Sequence, residues 1–220
     1  MADRVAIGFA GETLQLLPDR AVYWPTQRSL LIADLHLGKG DIFRDAGLAV
    51  PSGGTQHDLQ RIERLLHAHA PLTLYVLGDL LHGDDRGAHW RAHWQAWREA
   101  HAALRIVVIA GNHDHRLAVA GLALEVVGTA LRLGPLLLSH EPLASDGVIC
   151  GHLHPVVRLP RVPGRQPAFV LSPMQLILPA FSRFTGGHEW TAQPEQQLFV
   201  CTGDQVIALP PGTPRERSRR

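Results

Sequence analysis

Five short motifs carry residues able to bind a cation or move a proton: Asp34-Leu35-His36, Gly78-Asp79, Gly111-Asn112-His113-Asp114, His140, and Gly151-His152-Leu153-His154. Each follows an apolar run: Leu30 to Ala33, Leu74 to Leu77, Ile106 to Ala110, Leu136 to Leu138, and Val148 to Cys150. Such runs, closed by glycine or a polar cluster, read as buried strands. Ligand-bearing ends of several strands describe one crevice, where open α/β sheets bind their ligands.

Seven side chains offer oxygen or nitrogen to that crevice: Asp34, His36, Asp79, Asn112, His140, His152 and His154. One zinc ion is satisfied by three or four ligands. Seven converging groups therefore fit two divalent ions, which lie ~3.5–4 Å apart in sites that clamp the attacking and leaving oxygens of a phosphoryl transfer. Asp79 is the natural bridge between them. Gly78 and Gly111 let the backbone turn where a Cβ would strike the cluster. The mixed Asp, Asn and His donors accommodate Mn²⁺, Fe²⁺ or Zn²⁺.

The order D-x-H, G-D, G-N-H-D, H, G-H-x-H resembles the calcineurin-like metallophosphoesterases over nearly the whole globular part. His36-Leu37-Gly38-Lys39, Phe43-Arg44-Asp45-Ala46-Gly47, His140-Glu141-Pro142 and Leu178-Pro179-Ala180-Phe181 through Phe184-Thr185-Gly186-Gly187 narrow it. They resemble the ligase-associated DNA damage response subfamily, a group of small bacterial endonucleases. Ser182 stands where that pattern has glycine, which bears on the local turn. The resemblance implies a four-layer α/β/β/α sandwich of two mixed sheets flanked by helices. It implies that Asp34, His36, Asp79 and His154 hold one ion, and Asp79, Asn112, His140 and His152 the other. His113 becomes the catalytic histidine, with Asp114 orienting its ring. The implied activity is phosphodiester hydrolysis by a metal-bridged hydroxide, with DNA as substrate, Mn²⁺ as the favoured metal, and functional association with a DNA ligase and helicase in DNA repair. A small-molecule cyclic or dinucleotide phosphodiesterase is the alternative, followed by a non-catalytic, metal-bound interaction module.

The bridging pair would acidify a water between them, so hydroxide exists near neutral pH. His113, beside a ligand without being one, is free to protonate the departing oxygen or stabilise its charge. The Gly38 to Gly54 segment reads as a long glycine-rich loop over the site, a common location for functional groups. Lys39 and Arg44 on it could hold phosphate oxygens, Arg44 in bidentate fashion; Arg44 could equally pair with Asp41 or Asp45. His82 and His115 also stand within reach of a substrate.

The 220 residues suit one sizeable domain over positions 1–209, with no repeat or linker and no feature that specifies an oligomer. No apolar run approaches the ~20 residues of a membrane span, and Met1-Ala2-Asp3-Arg4 does not open a secretory signal. The expected location is cytoplasmic. Cys150 and Cys201 lack ligand spacing and read as reduced, Cys150 as a buried strand residue. Formal charge is +1. The 210–220 tail carries four arginines against Glu216, hence 4 − 1 = +3, and leaves the body near −2. That tail reads as disordered, solvated by default and a nonspecific phosphate-attracting arm otherwise. Helices are predicted at about Thr55–Ala68 and Ala88–Ala102. The second puts Trp90, Trp94 and Trp97 on a stripe whose spacing favours core packing over base stacking. From Leu124 onward the pattern is nearly all strand.

Overall fold

The computed structural model describes residues 4–82, 88–114 and 121–210. Its first sheet begins as an antiparallel meander, β1 (Val5–Phe9), β2 (Glu12–Leu17), β3 (Ala21–Trp24) and β4 (Ser29–Ile32). It continues as a parallel set, β4 beside β5 (Thr73–Leu77), β6 (Arg105–Ile109) and β7 (Glu125–Val127). The two-residue register alternation sorts each strand between two cores. Leu30, Ile32, Leu74, Val76, Ile106 and Val108 face the helices. Leu31, Ala33, Tyr75, Leu77, Val107 and Ile109 face the second sheet.

That second sheet holds β8 (Ala130–Leu133), β9 (Leu136–Ser139), β10 (Val148–Cys150), β11 (Pro155–Val157), β12 (Gln166–Leu171), β13 (Gln175–Ile177), β14 (His188–Glu189), β15 (Gln197–Cys201) and β16 (Val206–Ala208). β10 runs parallel to both β9 and β13, and the other pairings among these strands are antiparallel apart from β11 with β14. Phe169, Leu176, Phe199, Leu136 and Leu138 point into the inter-sheet core. Their neighbours Val148, Cys150, Ala168, Val170, Leu198 and Val200 form an outer cluster. Two mixed sheets packed face to face, with helices outside, make the α/β sandwich expected from the sequence. Among the described residues, the outer cluster of the second sheet is sealed by Leu153, Leu159, Trp190 and Leu209 from strands and loops.

Three α-helices are present among the described residues: α1 (Lys39–Asp45), α2 (Gly54–His69) and α3 (Ala88–Ala100). α2 buries Leu59, Ile62 and Leu65, each contributing about 1.5–3 kcal/mol of transfer free energy. The tryptophan stripe of α3 is core: Trp90, Trp94 and Trp97 are all buried, and Trp94 Nε1 donates to the Leu122 carbonyl (3.0 Å). The Gly38 to Gly54 segment is a correction. It was expected as loop, yet residues 39–45 form α1, because the glycines lie at its ends and not inside the Asp41-Ile42-Phe43-Arg44 turn. β14 is a two-residue strand too short for a periodic signal. No helix is long and apolar enough to cross a membrane, among the described residues. Cys150 and Cys201 are free and buried, and burial pushes each thiol up to about 12.

Candidate metal centre

Asp34 and His36 follow β4, Asp79 follows β5, Asn112 to Asp114 follow β6, His140 follows β9, and His152 and His154 follow β10. The parallel pairings β4–β5–β6 and β9–β10 bring these ends to one side of the inter-sheet core. Asp34, His36 and His154 place ligand atoms within 4.8 Å of one another, and so do Asp34, Asp79 and His140. Asp34 and Asp79 are buried, as are His36 and His140.

The hydrogen bonds fix which atoms face the cluster. His140 Nδ1 lies 3.0 Å from the Leu77 carbonyl, so that nitrogen carries the proton and Nε2 keeps its lone pair. This is the outer hydrogen bond that ligating histidines make. Its Nε2 lies 3.0 Å from His152 Nδ1 and 3.6 Å from Asp79 Oδ1. Both ring nitrogens of His36 are buried without a hydrogen-bond partner, as are Asp34 Oδ1 and His154 Nε2. The last two atoms are only 3.0 Å apart but are not aligned as donor and acceptor. Buried polar atoms are normally paired. Three unpaired ligand atoms in one place, Asp34 Oδ1, His154 Nε2 and the one His36 nitrogen that carries no proton, fit a divalent cation. Asp79 Oδ2 is 4.0 Å from His36 Nε2, so this carboxylate of the second group also reaches toward a histidine of the first, and Asp34 is the residue common to both groups.

Burial pushes the His36 imidazole down to about 2, reinforced by Lys39 and His82. It therefore stays neutral, as a ligand must. Lys39 is lowered by burial while Asp34 and Asp79 raise it, and its Nζ lies 3.5 Å from Thr185 Oγ1. His82 is brought in: its ring lies edge-on to His36 (centroids 5.2 Å) and beside His113 (5.3 Å). Burial, with Lys39 and His113, lowers it to about 4. His113 has a half-exposed ring whose Nε2 is 3.9 Å from Asp79 Oδ2, and its backbone N–H donates to Asp79 Oδ1 (3.0 Å).

Asp114 departs from expectation. It was expected to orient the His113 ring, but its carboxylate accepts the Leu81 N–H (3.1 Å) and the Gly111 N–H (2.9 Å). The turn closed by Asp114 N–H to Gly111 O aims the side chain back at backbone donors, so it braces the loop. Asn112 is exposed, and its Nδ2 donates to Glu141 Oε1 (3.0 Å), which leaves Oδ1 as its atom for a cation. Arg44 pairs with Asp41 and donates to the Pro51 carbonyl. His115 and residues 211–220 of the tail lie outside the described residues. Sequence reasoning missed Glu141, although it sits next to His140, and Thr185, one of the subfamily positions.

Strain marks the same residues. Asp34, His36, Asp79, His152 and His154 have φ of 55°, 50°, 49°, 67° and 46°, the left-handed region that costs a non-glycine residue roughly 1–3 kcal/mol. Gly78 turns at φ 76°, and a Cβ there would sit 2.1 Å from His140 Nδ1. A Cβ on Gly111 would sit 2.5 Å from Asp79 Oδ1. The 180–182 segment closes the floor: Phe181 and Ser182 N–H groups donate to the Ala33 and Asp34 carbonyls (2.8 and 3.3 Å). Ser182 is not in the left-handed region, so serine serves this turn as glycine would.

Against solved structures, the chain aligns with a Pseudomonas putida nuclease, MPE, at 38% identity and a TM-score of 0.81, covering 94% of this chain and 100% of the other. The chain belongs to the calcineurin-like metallophosphoesterase family. This metallophosphoesterase also aligns with YfcE, a phosphoesterase from E. coli, at 16% identity and a TM-score of 0.46 over 82% of its own length and 96% of the other chain. No protein-family model matches the chain, and no curated protein does. The metallophosphoesterase assignment makes it a hydrolase of phosphoester bonds, with residues able to hold divalent metal.

Proposed function

We propose that the chain is a two-metal phosphodiesterase that cuts DNA, in a DNA repair setting shared with a ligase and a helicase. The observation that carries this reading is the set of buried, unpaired ligand atoms on Asp34, His36 and His154 beside Asp79, His140 and His152. A polynucleotide substrate is supported by the nuclease that the chain resembles at 38% identity, and DNA by the subfamily motifs of the sequence.

Asp34, His36, Asp79 and His154 would hold one ion; Asp79, Asn112, His140 and His152 would hold the other. Mn²⁺ suits these mixed donors. Such ions, when bound, neutralise phosphoryl charge and acidify water at neutral pH. The protein does the rest. Lys39, drawn toward the cluster by Asp34 and Asp79, holds a nonbridging oxygen. His113, half-exposed over Asp79, donates a proton to the leaving oxygen. His82 lines the approach beside it. Glu141 positions Asn112 by accepting from its amide, and Asp114 positions His113 by bracing the loop before it.

Asp79→Ala removes the group common to both sets. We expect it to abolish cleavage of DNA and of a nitrophenyl phosphodiester with Mn²⁺ present, and to lose at least one ion by metal analysis. Two ions kept at full occupancy would sink the assignment. Rapid turnover of a cyclic or dinucleotide with no action on DNA would move the substrate and leave the chemistry standing.

A further inference from the structure

A second cavity of about 280 Å³ lies behind the floor of the metal centre, lined by Asp19, Arg20, His57, Arg61, Arg64 and Arg183 among others. The two sites share one piece of backbone. Ser182 donates its N–H to the Asp34 carbonyl, while its own carbonyl accepts from Arg20 Nη1 (3.1 Å). The Phe181 carbonyl accepts from Arg61 Nη1 (2.6 Å).

The charges there do not balance. Four guanidiniums line the cavity, against Asp19 on its wall and Asp58 beneath. Arg61 takes up most of both carboxylates, at 3.1 Å from Asp58 and 3.2 Å from Asp19. Arg64 makes only a long 3.8 Å approach to the same Asp19 oxygen. Arg183 faces a ring nitrogen, His57 Nε2, at 3.1 Å and not a carboxylate. Arg20 is held by the carbonyls of Ala180 and Ser182, which fix its position without cancelling its charge. Burial and the neighbouring Arg61 lower its guanidinium to about 10. Three under-neutralised cations thus surround a space many times the ~30 Å³ of one water. By contrast the larger cavity of about 430 Å³ beside α1 carries Arg44 already paired with Asp41.

We propose that the Arg20–Arg64–Arg183 pocket is a phosphate subsite that grips the polynucleotide backbone away from the cleaved bond. Guanidinium forks match the oxygens of a phosphodiester. A strand with its scissile phosphate at Asp79 continues past the 180–182 segment into this pocket; a nitrophenyl diester ends at the metal centre. The proposal rests on the phosphodiesterase reading above and adds where a long substrate is held.

The test uses the full-length protein with Mn²⁺ and an exposed pair of residues, Arg64→Ala with Arg183→Ala. Binding of a labelled phosphorothioate oligodeoxynucleotide, which resists hydrolysis, is followed by anisotropy from 0.1 to 1 M salt. Each single-strand phosphate contact contributes a slope of about −0.7, so losing two flattens it by about 1.4. That corresponds to about 25-fold weaker binding at 0.1 M, vanishing toward 1 M. Hydrolysis of bis(nitrophenyl) phosphate stays at the wild-type rate, and Arg183→Lys alone keeps the slope. Arg105→Ala, whose partner is Glu125, serves as the control that changes nothing. Wild-type affinity and slope in the double variant, with normal diester hydrolysis, would overturn the subsite. So would inorganic phosphate stabilising wild type and not the double variant while oligonucleotide affinity is unchanged, because the pocket would then serve free phosphate. Failure of wild type to hydrolyse the diester is a different result, and strikes the phosphodiesterase reading instead.

Discussion

Gly78→Ala tests whether the metal centre depends on backbone turns. A Cβ at Gly78 would sit 2.1 Å from His140 Nδ1 and 2.4 Å from its Cγ, against a closest realistic approach of 3.0 Å. The ring must therefore retreat by at least 3.0 − 2.1 = 0.9 Å, beyond the ~0.5 Å within which a functional group must be held. It has nowhere easy to go, because His140 is buried and tied to the Leu77 carbonyl at 3.0 Å. Losing that outer hydrogen bond typically costs ~10–100-fold in metal affinity. The new methyl also pays for φ 76°, roughly 1–2 kcal/mol for a left-handed alanine. Gly11→Ala isolates this second cost, since Gly11 has φ 82° with nothing within 4 Å. We expect both variants to lose similar stability to backbone strain, with Gly78→Ala losing more. Only Gly78→Ala should weaken Mn²⁺ binding by calorimetry, by ~10–100-fold, with diester hydrolysis falling in step. Equal Mn²⁺ affinity in the two variants would refute the reasoning.

Two other outcomes follow from the site. His113→Asn should slow a DNA substrate, whose alkoxide leaves poorly, by ~10²–10⁴-fold and a nitrophenyl diester far less; equal losses would assign His113 to positioning. Metal-stripped protein should lose stability as pH falls below 6.5, because the unfolded His36 takes a proton there and the buried one, at about 2, does not. The unfolded state thus binds more protons throughout that window, and each pH unit costs about 1.4 kcal/mol. His36 alone should remove roughly 2 kcal/mol between pH 6.5 and 4.5, since the unfolded imidazole is only half protonated at the start of that window. Urea denaturation at both pH values checks this, and an unchanged pH slope in His36→Asn would count against it.

Much of the site could be read from the chain because each ligand sits at the end of an apolar run, and strand ends are fixed by burial. The same logic placed β10 at its residue bounds and β9 to within one residue, and apolar periodicity found α2 and α3 to within two residues. What escaped was governed by contacts distant in sequence. Asp114 looked like a partner for the adjacent histidine, yet Leu81, thirty-three residues earlier, supplies a donor it prefers. α1 hid among glycines that suggested loop, since composition does not show that Gly38 and Gly40 sit at its start and Gly47 beyond its end. Arg20 gave no signal at all, because its importance comes from Arg61 and Arg183 brought beside it by the fold.

The short stretch from Ala180 to Ser182 has a consequence for synthesis. Its N–H groups satisfy the carbonyls of Ala33 and Asp34, so Asp34 waits for Ser182, 182 − 34 = 148 positions later. At roughly 5–20 residues per second, the ribosome takes on the order of 10 s to deliver it. The first sheet is itself completed only with β7 at Glu125–Val127, and even then it has an unfinished floor. Competence arrives late, when the closing stretch docks, and the emerging polypeptide has no complete centre until then.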